Sequence, residues 1–424
     1  MGIFKAYDIR GVYDKELNED LAYKIGQAAV KLFNSDIVVG YDMRFSSPHL
    51  VKALEKGITD SGFNVIDVGL CSTPMFYFAV AFYKHKAGIM VTASHNPKQY
   101  NGFKFCRENA LPVSYESGIN EIEKLVKENT FEKSEKKGKI NKKEIFYDYE
   151  KHVLKFAGKI EKLKVVIDSA NGMGGLAAPS ILKSLGLDVV ELYTELDGTF
   201  PNHEANPLKE ETTKELQELV VKEKADLGIA FDGDADRVGF IDEEGKRVGF
   251  DIITALIGET FLKEKGQKVL YDLRSSDIVK EHIESSGGEA IISRVGHSYI
   301  KQIMREKDIV FGGELSGHYY FKDNYFADSG LIAAVVLISL MSQKKKKLSE
   351  LVKPLNKYFQ SGEINSIVKD IKNKLKDIEN DYSDGKKLNL DGLSVYYDDW
   401  WFNIRPSNTD PLLRLNLEAK TREK

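Results

Sequence analysis

The stretch Lys164-Val165-Val166-Ile167-Asp168 is followed by small residues at 169–175, a helical pattern that ends near Leu185-Gly186, and an apolar run at 189–192. An apolar, β-branched run that ends at an aspartate and leads into a turn and a helix is typical of a βαβ unit. The pattern occurs twice more, at residues 37–68 and 268–292. Because crossover helices build and cover a mostly parallel sheet, we predict three related α/β domains with mixed sheets.

The sequence changes character after Pro354. Apolar and polar residues alternate at 392–397, 400–405 and 413–418, which predicts antiparallel strands in a smaller α+β domain. A Lys- and Glu-rich stretch at 121–143 predicts a solvated helix and loop between the first two domains. We therefore expect four domains around a central cleft, at residues 1–147, 148–250, 251–356 and 357–424.

Composition excludes several classes of protein. The chain has 424 residues, of which 42% are hydrophobic and 30% charged, so it is not compositionally disordered. Lys plus Arg (61) less Asp plus Glu (65) is −4, which provides no basic field for nucleic acid. The four lysines at 344–347 are expected to be a solvated helix end.

The cysteines and the apolar runs indicate which cellular compartment the protein occupies and whether it spans a membrane. Two cysteines, Cys71 and Cys106, are too few for a disulfide framework and favour a reducing cytoplasm. The most apolar run, at 331–341, is shorter than the roughly 20 residues of a membrane span, and it predicts a buried helix. We expect no membrane partner.

The first candidate motif is Thr-Ala-Ser-His-Asn-Pro at 92–97, directly after the apolar run at 88–91. Ser94 thus lies at the carboxyl end of a predicted strand, the edge at which α/β proteins bind ligands. The Gly-x-Ser-x-Gly pattern of serine hydrolases is absent. Two interpretations stay open: a nucleophilic serine, or a polar turn in which Ser94 and Asn96 satisfy backbone groups.

The second motif contains three carboxylates at alternate positions, Asp232, Asp234 and Asp236, between two predicted strands. Like charges so close together must diverge or share a cation, and their hard oxygen atoms favour Mg²⁺ or Mn²⁺. An EF-hand is excluded because Arg237 occupies the position that needs glycine and because strands flank the loop. The alternative is a solvated acidic turn.

The third motif is the glycine-rich loop at 312–318, which contains Glu314, Ser316 and His318. Small residues let such a loop approach a ligand, while these three side chains offer acceptors and donors to the hydroxyl groups of a sugar. An ordinary glycine-rich turn with a capping serine is the alternative.

The fourth motif is the Pro-bracketed segment at 405–411, with Arg405, Ser407, Asn408 and Thr409. A guanidinium can bind phosphate oxygens in pairs, and the short polar side chains and backbone amides could complete a phosphate site. The alternative is a Pro-bracketed turn with Arg405 in a surface ion pair.

Taken in order, these motifs and the segment at 4–11, Phe-Lys-Ala-Tyr-Asp-Ile-Arg-Gly, resemble those of the α-D-phosphohexomutases. The similarity covers nearly the whole chain and is greatest to the phosphomannomutase/phosphoglucomutase group. It implies that Ser94 carries a phosphoryl group and that Asp232, Asp234 and Asp236 hold one Mg²⁺ together with Ser94. It also implies that Arg237 lies beside the transferring group and that Lys104 is the acid/base, with Arg10 and His95 nearby.

The same resemblance assigns the substrate contacts. Glu314 and Ser316 would bind the 3- and 4-hydroxyls, which glucose and mannose share, so dual specificity is expected. The remaining substrate contacts implied are Tyr7, His297, His318, Arg405, Ser407, Asn408 and Thr409. Lys104 could instead be a surface lysine, and either histidine a structural residue.

The implied reaction interconverts hexose 1-phosphate and hexose 6-phosphate, of mannose or glucose, through hexose 1,6-bisphosphate. Leu315 departs from the methionine usual in hexose-specific members, which keeps phosphoglucosamine mutase as an alternative. A metal-dependent sugar phosphatase and a non-catalytic sugar-phosphate-binding protein are the more distant ones. Expected partners are hexose phosphates, and the chain is expected to be a monomer or homodimer.

Overall fold

The computed structural model describes residues 2–132, 134–407 and 412–424. Residues 1–248 with 316–349 form one compact unit, and residues 249–315 with 350–424 form a second. The four predicted groups of elements are all present, which confirms the fold class of three α/β domains and a smaller C-terminal domain. The exact domain boundaries stay predictions.

The first sheet and its helices begin the first unit. Its strands are β1 (Ile9–Val12), β2 (Ile37–Tyr41), β3 (Val65–Leu70), β4 (Ala87–Val91), β5 (Tyr100–Arg107), β6 (Leu111–Pro112) and β7 (Ile140–Lys142). The helices along this part of the chain are α1 (Glu19–Phe33), α2 (Ser47–Asp60), α3 (Thr73–Phe82), α4 (Asn120–Glu128) and α5 (Phe146–Leu154). A 3₁₀ turn (Glu108–Ala110) and a π-helical turn (Tyr115–Ile119) connect them.

The strand order β1-β5-β4-β2-β3-β7 determines where the site residues lie. Strands β2 and β4 are parallel, so their carboxyl ends share one edge, and Ser94 follows the end of β4. Strand β5 returns antiparallel to β4 and carries Lys104 opposite Met90. Strand β1 pairs with β5 and places Arg10 opposite Gly102. Arg10, Lys104 and Ser94 are therefore carried by, or directly follow, three neighbouring strands of one sheet.

The Lys- and Glu-rich stretch at 121–143 differs in part from its prediction. It contains the expected helix α4, but it ends in β7, which pairs in parallel with β3. All three residues of β7 are exposed, so the strand is defined by backbone pairing and has no apolar run that sequence reasoning could detect.

The second sheet follows along the chain, still in the first unit. Its strands are β8 (Lys164–Asp168), β9 (Asp188–Leu192), β10 (Leu227–Phe231), β11 (Val238–Asp242) and β12 (Arg247–Val248), in the order β12-β11-β10-β8-β9. Its helices are α6 (Gly174–Ser184) and α7 (Lys214–Glu223), the latter after a 3₁₀ turn (Glu211–Thr213). Strands β10 and β11 are antiparallel, and the loop joining them carries the three aspartates.

The second unit begins with α8 (Phe250–Thr260), β13 (Lys268–Asp272), α9 (Asp277–Ser285), β14 (Glu289–Ser293), α10 (His297–Glu306) and β15 (Phe311–Gly313). Strand β13 is parallel to both β14 and β15, as the repeat predicts. Strand β15 runs directly into the glycine-rich loop that contains Glu314.

The chain then returns to the first unit for a hairpin and an apolar helix. These elements are β16 (Tyr319–Phe321), a 3₁₀ turn (Lys322–Asn324), β17 (Ala327–Asp328) and α11 (Gly330–Lys344). Residues 330–342 of α11 are buried, which confirms the predicted buried helix, and the lysines at 344–347 are exposed. Among the described residues, no helix is both long enough and apolar enough to cross a membrane.

A short helix, α12 (Leu348–Val352), precedes the C-terminal antiparallel sheet of the second unit. That sheet contains β18 (Phe359–Gln360), β19 (Ile364–Ile367), β20 (Lys386–Leu388), β21 (Leu393–Tyr396), β22 (Trp400–Pro406) and β23 (Leu412–Ala419). Helix α13 (Ile371–Asp381) lies between β19 and β20 in the chain and packs through Ile371, Leu375 and Ile378 on the core of this sheet.

Candidate active site

Ser94 sits in a buried turn directly after β4. Its backbone adopts φ +50°, a left-handed conformation that is uncommon for a residue with a side chain, and the residue is 2% exposed. The Ser94 N–H donates to Thr92 Oγ1 at 2.9 Å, and its hydroxyl donates to Asp232 Oδ2 at 3.0 Å. Its oxygen also lies 3.2 Å from His95 Nδ1. The turn therefore aims the hydroxyl at the acidic loop.

The structure brings all three aspartates of that loop together in a buried cluster. One ligand oxygen of each of Asp232, Asp234 and Asp236 lies within 4.8 Å of the others. Burial and the neighbouring Asp236 and Asp234 carboxylates raise the pKa of Asp232 well above its usual value. The Asp234 Oδ2 atom accepts 2.6 Å from Thr73 Oγ1, a contact that sequence reasoning missed because Thr73 opens a helix of the first sheet.

Lys104 is buried against these carboxylates and is not a surface lysine. Its Nζ atom lies 2.7 Å from Asp234 Oδ2 and 2.6 Å from Asp236 Oδ2. Burial alone would lower the pKa of Lys104, but the two carboxylates raise it well above its usual value. The side chain is thus a charged ammonium within the cluster.

Further cationic groups surround the serine turn. Arg10 donates through Nε to Asp8 at 2.7 Å and through Nη1 to Asn96 Oδ1. Arg237 Nε lies 3.9 Å from Asp232 Oδ2. The positive charge of Arg237, together with burial and Arg10, lowers the pKa of His95 well below its usual value. The surroundings thus favour a neutral imidazole beside Ser94.

His318 and Ser316 lie beside the same cluster. Ser316 Oγ is 2.8 Å from His318 Nδ1, and Arg237 Nε donates 3.3 Å to His318 Nε2. The same His318 nitrogen is 3.4 Å from Asp236 Oδ1 and 3.9 Å from Asp328 Oδ2. Asp328, on β17, is a buried member that sequence reasoning missed, since no motif marks it.

The donor set fits a divalent cation. Asp232, Asp234, Asp236 and the Ser94 hydroxyl supply oxygen atoms only, which suits Mg²⁺ better than zinc. Asp234 Oδ1 is buried and accepts no hydrogen bond from any described residue. A buried carboxylate oxygen without a partner costs free energy, and a bound cation would satisfy it. The acidic cluster could therefore hold a metal ion.

In the second unit, Glu314 belongs to a network at the carboxyl end of β13. Arg274 donates to both oxygens of Asp272, at 3.0 and 2.8 Å, and its Nη2 lies 3.5 Å from Glu314 Oε1. Asp272 Oδ2 also accepts 2.7 Å from the Leu315 N–H. Burial opposes the protonation of Arg274, but Asp272 and then Glu314 raise its pKa above the usual range. Arg274 was not among the predicted residues, although it follows the aspartate of the third repeat.

Arg405 is buried in an ion pair with Glu363. Its Nη2 donates 2.8 Å to Glu363 Oε2, and Arg414 Nη1 lies 3.1 Å from Glu363 Oε1. Ser407 Oγ accepts 3.3 Å from Arg414 Nη2. Burial, and then the charge of Arg274, lower the pKa of Arg405. The predicted Asn408 and Thr409 lie outside the described residues.

Two predicted substrate contacts lie at the starts of elements. Tyr7 is half-buried just before β1 in the first unit, and His297 is the first residue of α10 in the second. Neither position assigns a role to its side chain.

Four protein-family models match the chain in sequence order. They are described as phosphoglucomutase/phosphomannomutase alpha/beta/alpha domains I, II and III, at residues 1–133, 147–245 and 250–358, and the C-terminal domain, at 363–424. Together they span almost the whole chain, so the class defined by fold and sequence is that of a four-domain hexose-phosphate mutase family.

Named relatives agree with these matches. A phosphomannomutase from Methanocaldococcus jannaschii is 44% identical, and the alignment covers 98% of this chain and 93% of that protein. A phosphomannomutase from Vibrio cholerae is 39% identical, covering 98% and 94%. A solved phosphoglucomutase/phosphomannomutase family protein from Burkholderia thailandensis is 32% identical, with a TM-score of 0.93 and coverage of 99% and 94%. The chain belongs to the phosphoglucomutase/phosphomannomutase family, as its motifs predict.

Proposed function

We propose that this protein interconverts hexose 1-phosphate and hexose 6-phosphate, of mannose, glucose or both. The observation that carries the proposal is the Ser94 hydroxyl, 3.0 Å from Asp232 Oδ2 in a buried turn bordered by cationic side chains. A nucleophilic oxygen beside a carboxylate cluster suits phosphoryl transfer, which depends on positioning and charge stabilisation. The phosphomannomutase names of the archaeal and Vibrio relatives support the substrate class.

Two transfers account for the net reaction. In the first, the bond between phosphorus and Ser94 Oγ breaks while a sugar hydroxyl oxygen bonds to phosphorus, which yields hexose 1,6-bisphosphate. In the second, the bond between the other phosphorus and its sugar oxygen breaks while Ser94 Oγ bonds to that phosphorus, which yields the isomeric hexose phosphate. A proton leaves the sugar hydroxyl and one reaches Oγ in the first transfer, and both proton movements are reversed in the second. Lys104, whose Nζ contacts the same acidic loop as the Ser94 hydroxyl, is the proposed acid/base. No phosphate is released.

The surrounding residues have separate tasks. When bound by Ser94, Asp232, Asp234 and Asp236, Mg²⁺ would offset negative charge on the phosphoryl oxygens. Arg237, Arg10 and His95 line the same turn and stabilise or orient the phosphoryl group. Both carboxylates that hold Lys104 belong to the acidic loop. The position of the proposed acid/base and the positions of the proposed metal ligands therefore depend on each other.

Substrate recognition is assigned to the predicted set. Glu314 and Ser316 bind the 3- and 4-hydroxyls, with Tyr7, His297 and His318 as further contacts. Arg405 and Ser407, with Asn408 and Thr409, hold the phosphate that is not reacting. Glucose and mannose do not differ at the hydroxyls assigned to Glu314, so we propose activity on both sugars.

We also propose a cytoplasmic location, because the two buried free cysteines fit a reducing compartment.

Phosphorus NMR tests this function directly. The protein is incubated with Mg²⁺, a trace of glucose 1,6-bisphosphate, and mannose 1-phosphate or glucose 1-phosphate in parallel tubes. Formation of hexose 6-phosphate without inorganic phosphate is expected, and the two rates rank the sugars. Release of inorganic phosphate would identify a phosphatase instead. No change with hexose or glucosamine phosphates would leave a binding protein.

A further inference from the structure

Arg44 is a buried arginine just after β2 that no motif marks as functional. Its side chain is 0% exposed, and each of its five N–H groups has an acceptor. Nε donates to Asp42 Oδ2 at 3.2 Å. The other four N–H groups donate to main-chain carbonyls of the serine turn: Ser94 (2.7 Å), Asn96 (2.6 Å), Pro97 (2.9 Å) and Tyr100 (3.1 Å).

These four bonds hold a segment whose backbone is strained at Ser94, the proposed reacting residue. Ser94 has φ +50°, which a side chain disfavours by about 1 kcal/mol or more. Such a conformation persists only when its surroundings over-determine it. Thr92 Oγ1 holds the N–H of Ser94, and Arg44 holds its carbonyl. The two peptide planes that flank the Ser94 side chain are therefore fixed independently.

Arg44 is itself rigidly held. Asp42 accepts from its Nε and, at 3.1 Å, from its main-chain N–H, and the Ser47 hydroxyl donates 2.6 Å to the same carboxylate. The ring of Phe200 covers the guanidinium, with its centroid 5.1 Å from Cζ. A Cβ at Gly198 would lie 2.6 Å from the Arg44 Cα, so only glycine lets the loop that carries Gly198 and Phe200 pack so closely against Arg44. The guanidinium can move little.

We propose that Arg44 is a positioning residue that orients the Ser94 hydroxyl for phosphoryl transfer by fixing the main chain of residues 94–100. The part of this proposal that concerns catalysis rests on the proposed function. None of the five N–H groups of Arg44 donates to Ser94 Oγ, and Arg44 acts through the carbonyl of that residue. A planar guanidinium can bond four carbonyls at once, whereas a lysine ammonium has three donors on one atom and cannot reproduce the fork.

The test compares Arg44→Lys with the wild-type protein by amide hydrogen exchange. The substitution keeps the positive charge beside Asp42 and removes most of the carbonyl bonds. In the variant, exchange in the peptide covering residues 92–100 is expected to quicken by about 10-fold or more, while exchange elsewhere stays unchanged. Unchanged exchange in this peptide, or an increase spread evenly over the chain, would overturn the proposal.

Kinetics supply the readout that a purely structural role would not move. We expect kcat of folded Arg44→Lys to fall about 30-fold or more, with KM for hexose 1-phosphate within about 3-fold of wild type. Arg247→Lys is the matched control, because Arg247 Nη2 also donates to two carbonyls, those of Pro207 and Leu208, both at 3.0 Å. That variant should keep normal kcat and normal exchange at 92–100. A kcat for Arg44→Lys within 3-fold of wild type would also overturn the proposal.

Phe200→Leu keeps the test decisive if Arg44→Lys fails to fold. This substitution removes the ring over the guanidinium and leaves every hydrogen bond of Arg44 available. A smaller change in exchange at 92–100 and in kcat is therefore expected. No change in either measurement would count against the proposal. Hydrogen exchange needs no turnover. If wild-type protein interconverts no hexose phosphate, the proposed function fails, while exchange at 92–100 still decides whether Arg44 fixes the turn.

Discussion

A Cβ atom at Gly233 would lie 2.4 Å from the carbonyl oxygen of Ser94. The acidic loop and the serine turn, which belong to different sheets of the first unit, thus meet main chain to main chain. No side chain fits between them. The approach brings Asp232 within hydrogen-bond distance of the Ser94 hydroxyl, so the geometry of both motifs depends on this glycine.

Gly233→Ala is expected to force the two loops apart. Because the obstructing atom belongs to the backbone, relief requires a shift of the turn, and we expect a loss of about 2 kcal/mol in unfolding free energy. Activity should fall further than stability explains. Gly186→Ala is the control. Its φ of +83° makes alanine costly by about 1 kcal/mol, yet a Cβ added there would meet no atom within 4 Å beyond the neighbouring residues of the chain, so kcat should be unchanged. Normal kcat in Gly233→Ala would refute this dependence.

Ser94→Ala should lower kcat by about 10³-fold or more, because the variant has no oxygen to carry the phosphoryl group. Binding of hexose phosphate, measured by calorimetry, should stay within a few-fold. Intact mass spectrometry after incubation with glucose 1,6-bisphosphate should show a phosphorylated wild type and an unmodified variant. Ser180→Ala, which alters a helix-surface hydroxyl, is the control. Near-normal turnover in Ser94→Ala would eliminate the phosphoserine role.

Asp234→Asn should weaken Mg²⁺ binding by about 10-fold or more, since it removes one of the proposed charged oxygen ligands from the cluster. Calorimetric titration of Mg²⁺ into the protein without substrate measures this separately from activity. Asp188→Asn replaces an exposed aspartate at the start of β9 and should leave the titration unchanged. Identical titrations for Asp234→Asn and wild type would place the cation elsewhere.

Glu314→Gln should lower kcat/KM for mannose 1-phosphate and glucose 1-phosphate together, by about 10-fold or more, with their ratio changed less than about 3-fold. The reason is that Glu314 is assigned to hydroxyls that the two sugars share. Parallel steady-state assays measure both values. A selective loss for one sugar would contradict this assignment and make Glu314 a determinant of specificity.

Asp277→Asn should stabilise the protein at neutral pH. Burial, then the charges of Glu418 and Glu281, raise the pKa of Asp277 to about 6, against 3.8 for an ordinary aspartate, and Lys280 and Lys420 only partly oppose them. The native state therefore binds more protons between about pH 4 and pH 6, and stability falls as pH rises through that interval. The variant should gain about 1–2 kcal/mol at pH 7 and lose this slope.

Thermal unfolding from pH 4 to pH 8 measures this effect. At pH 4, where the Asp277 carboxyl is largely protonated in the folded protein, the two proteins should differ little. Asp188→Asn again serves as the exposed control. Equal stability of Asp277→Asn and wild type at both pH 4 and pH 7 would show that Asp277 is not destabilised by its neighbours.

Local pattern determined the element order. Apolar runs ending at Asp168 and Asp272 are strands because β-branched residues favour the pleated, buried environment, and the periodic helices between them require parallel crossovers. The same reasoning located Ser94 and the three aspartates, since loops at strand ends carry the chemistry of α/β folds. Strand β7 escaped prediction because its exposed residues leave no apolar signal.

Sequence by itself determined which loops carry reactive groups and that their oxygen-rich set suits a hard cation. Only the tertiary structure decided that Lys104 points into the aspartates, that Asp328 joins His318, and that Arg44 holds the serine turn. These contacts join residues that lie 132, 10 and 50 positions apart in the chain, respectively. Their formation depends on how strands pair and loops pack, and the short-range periodicity of a single sequence contains no record of such long-range approaches.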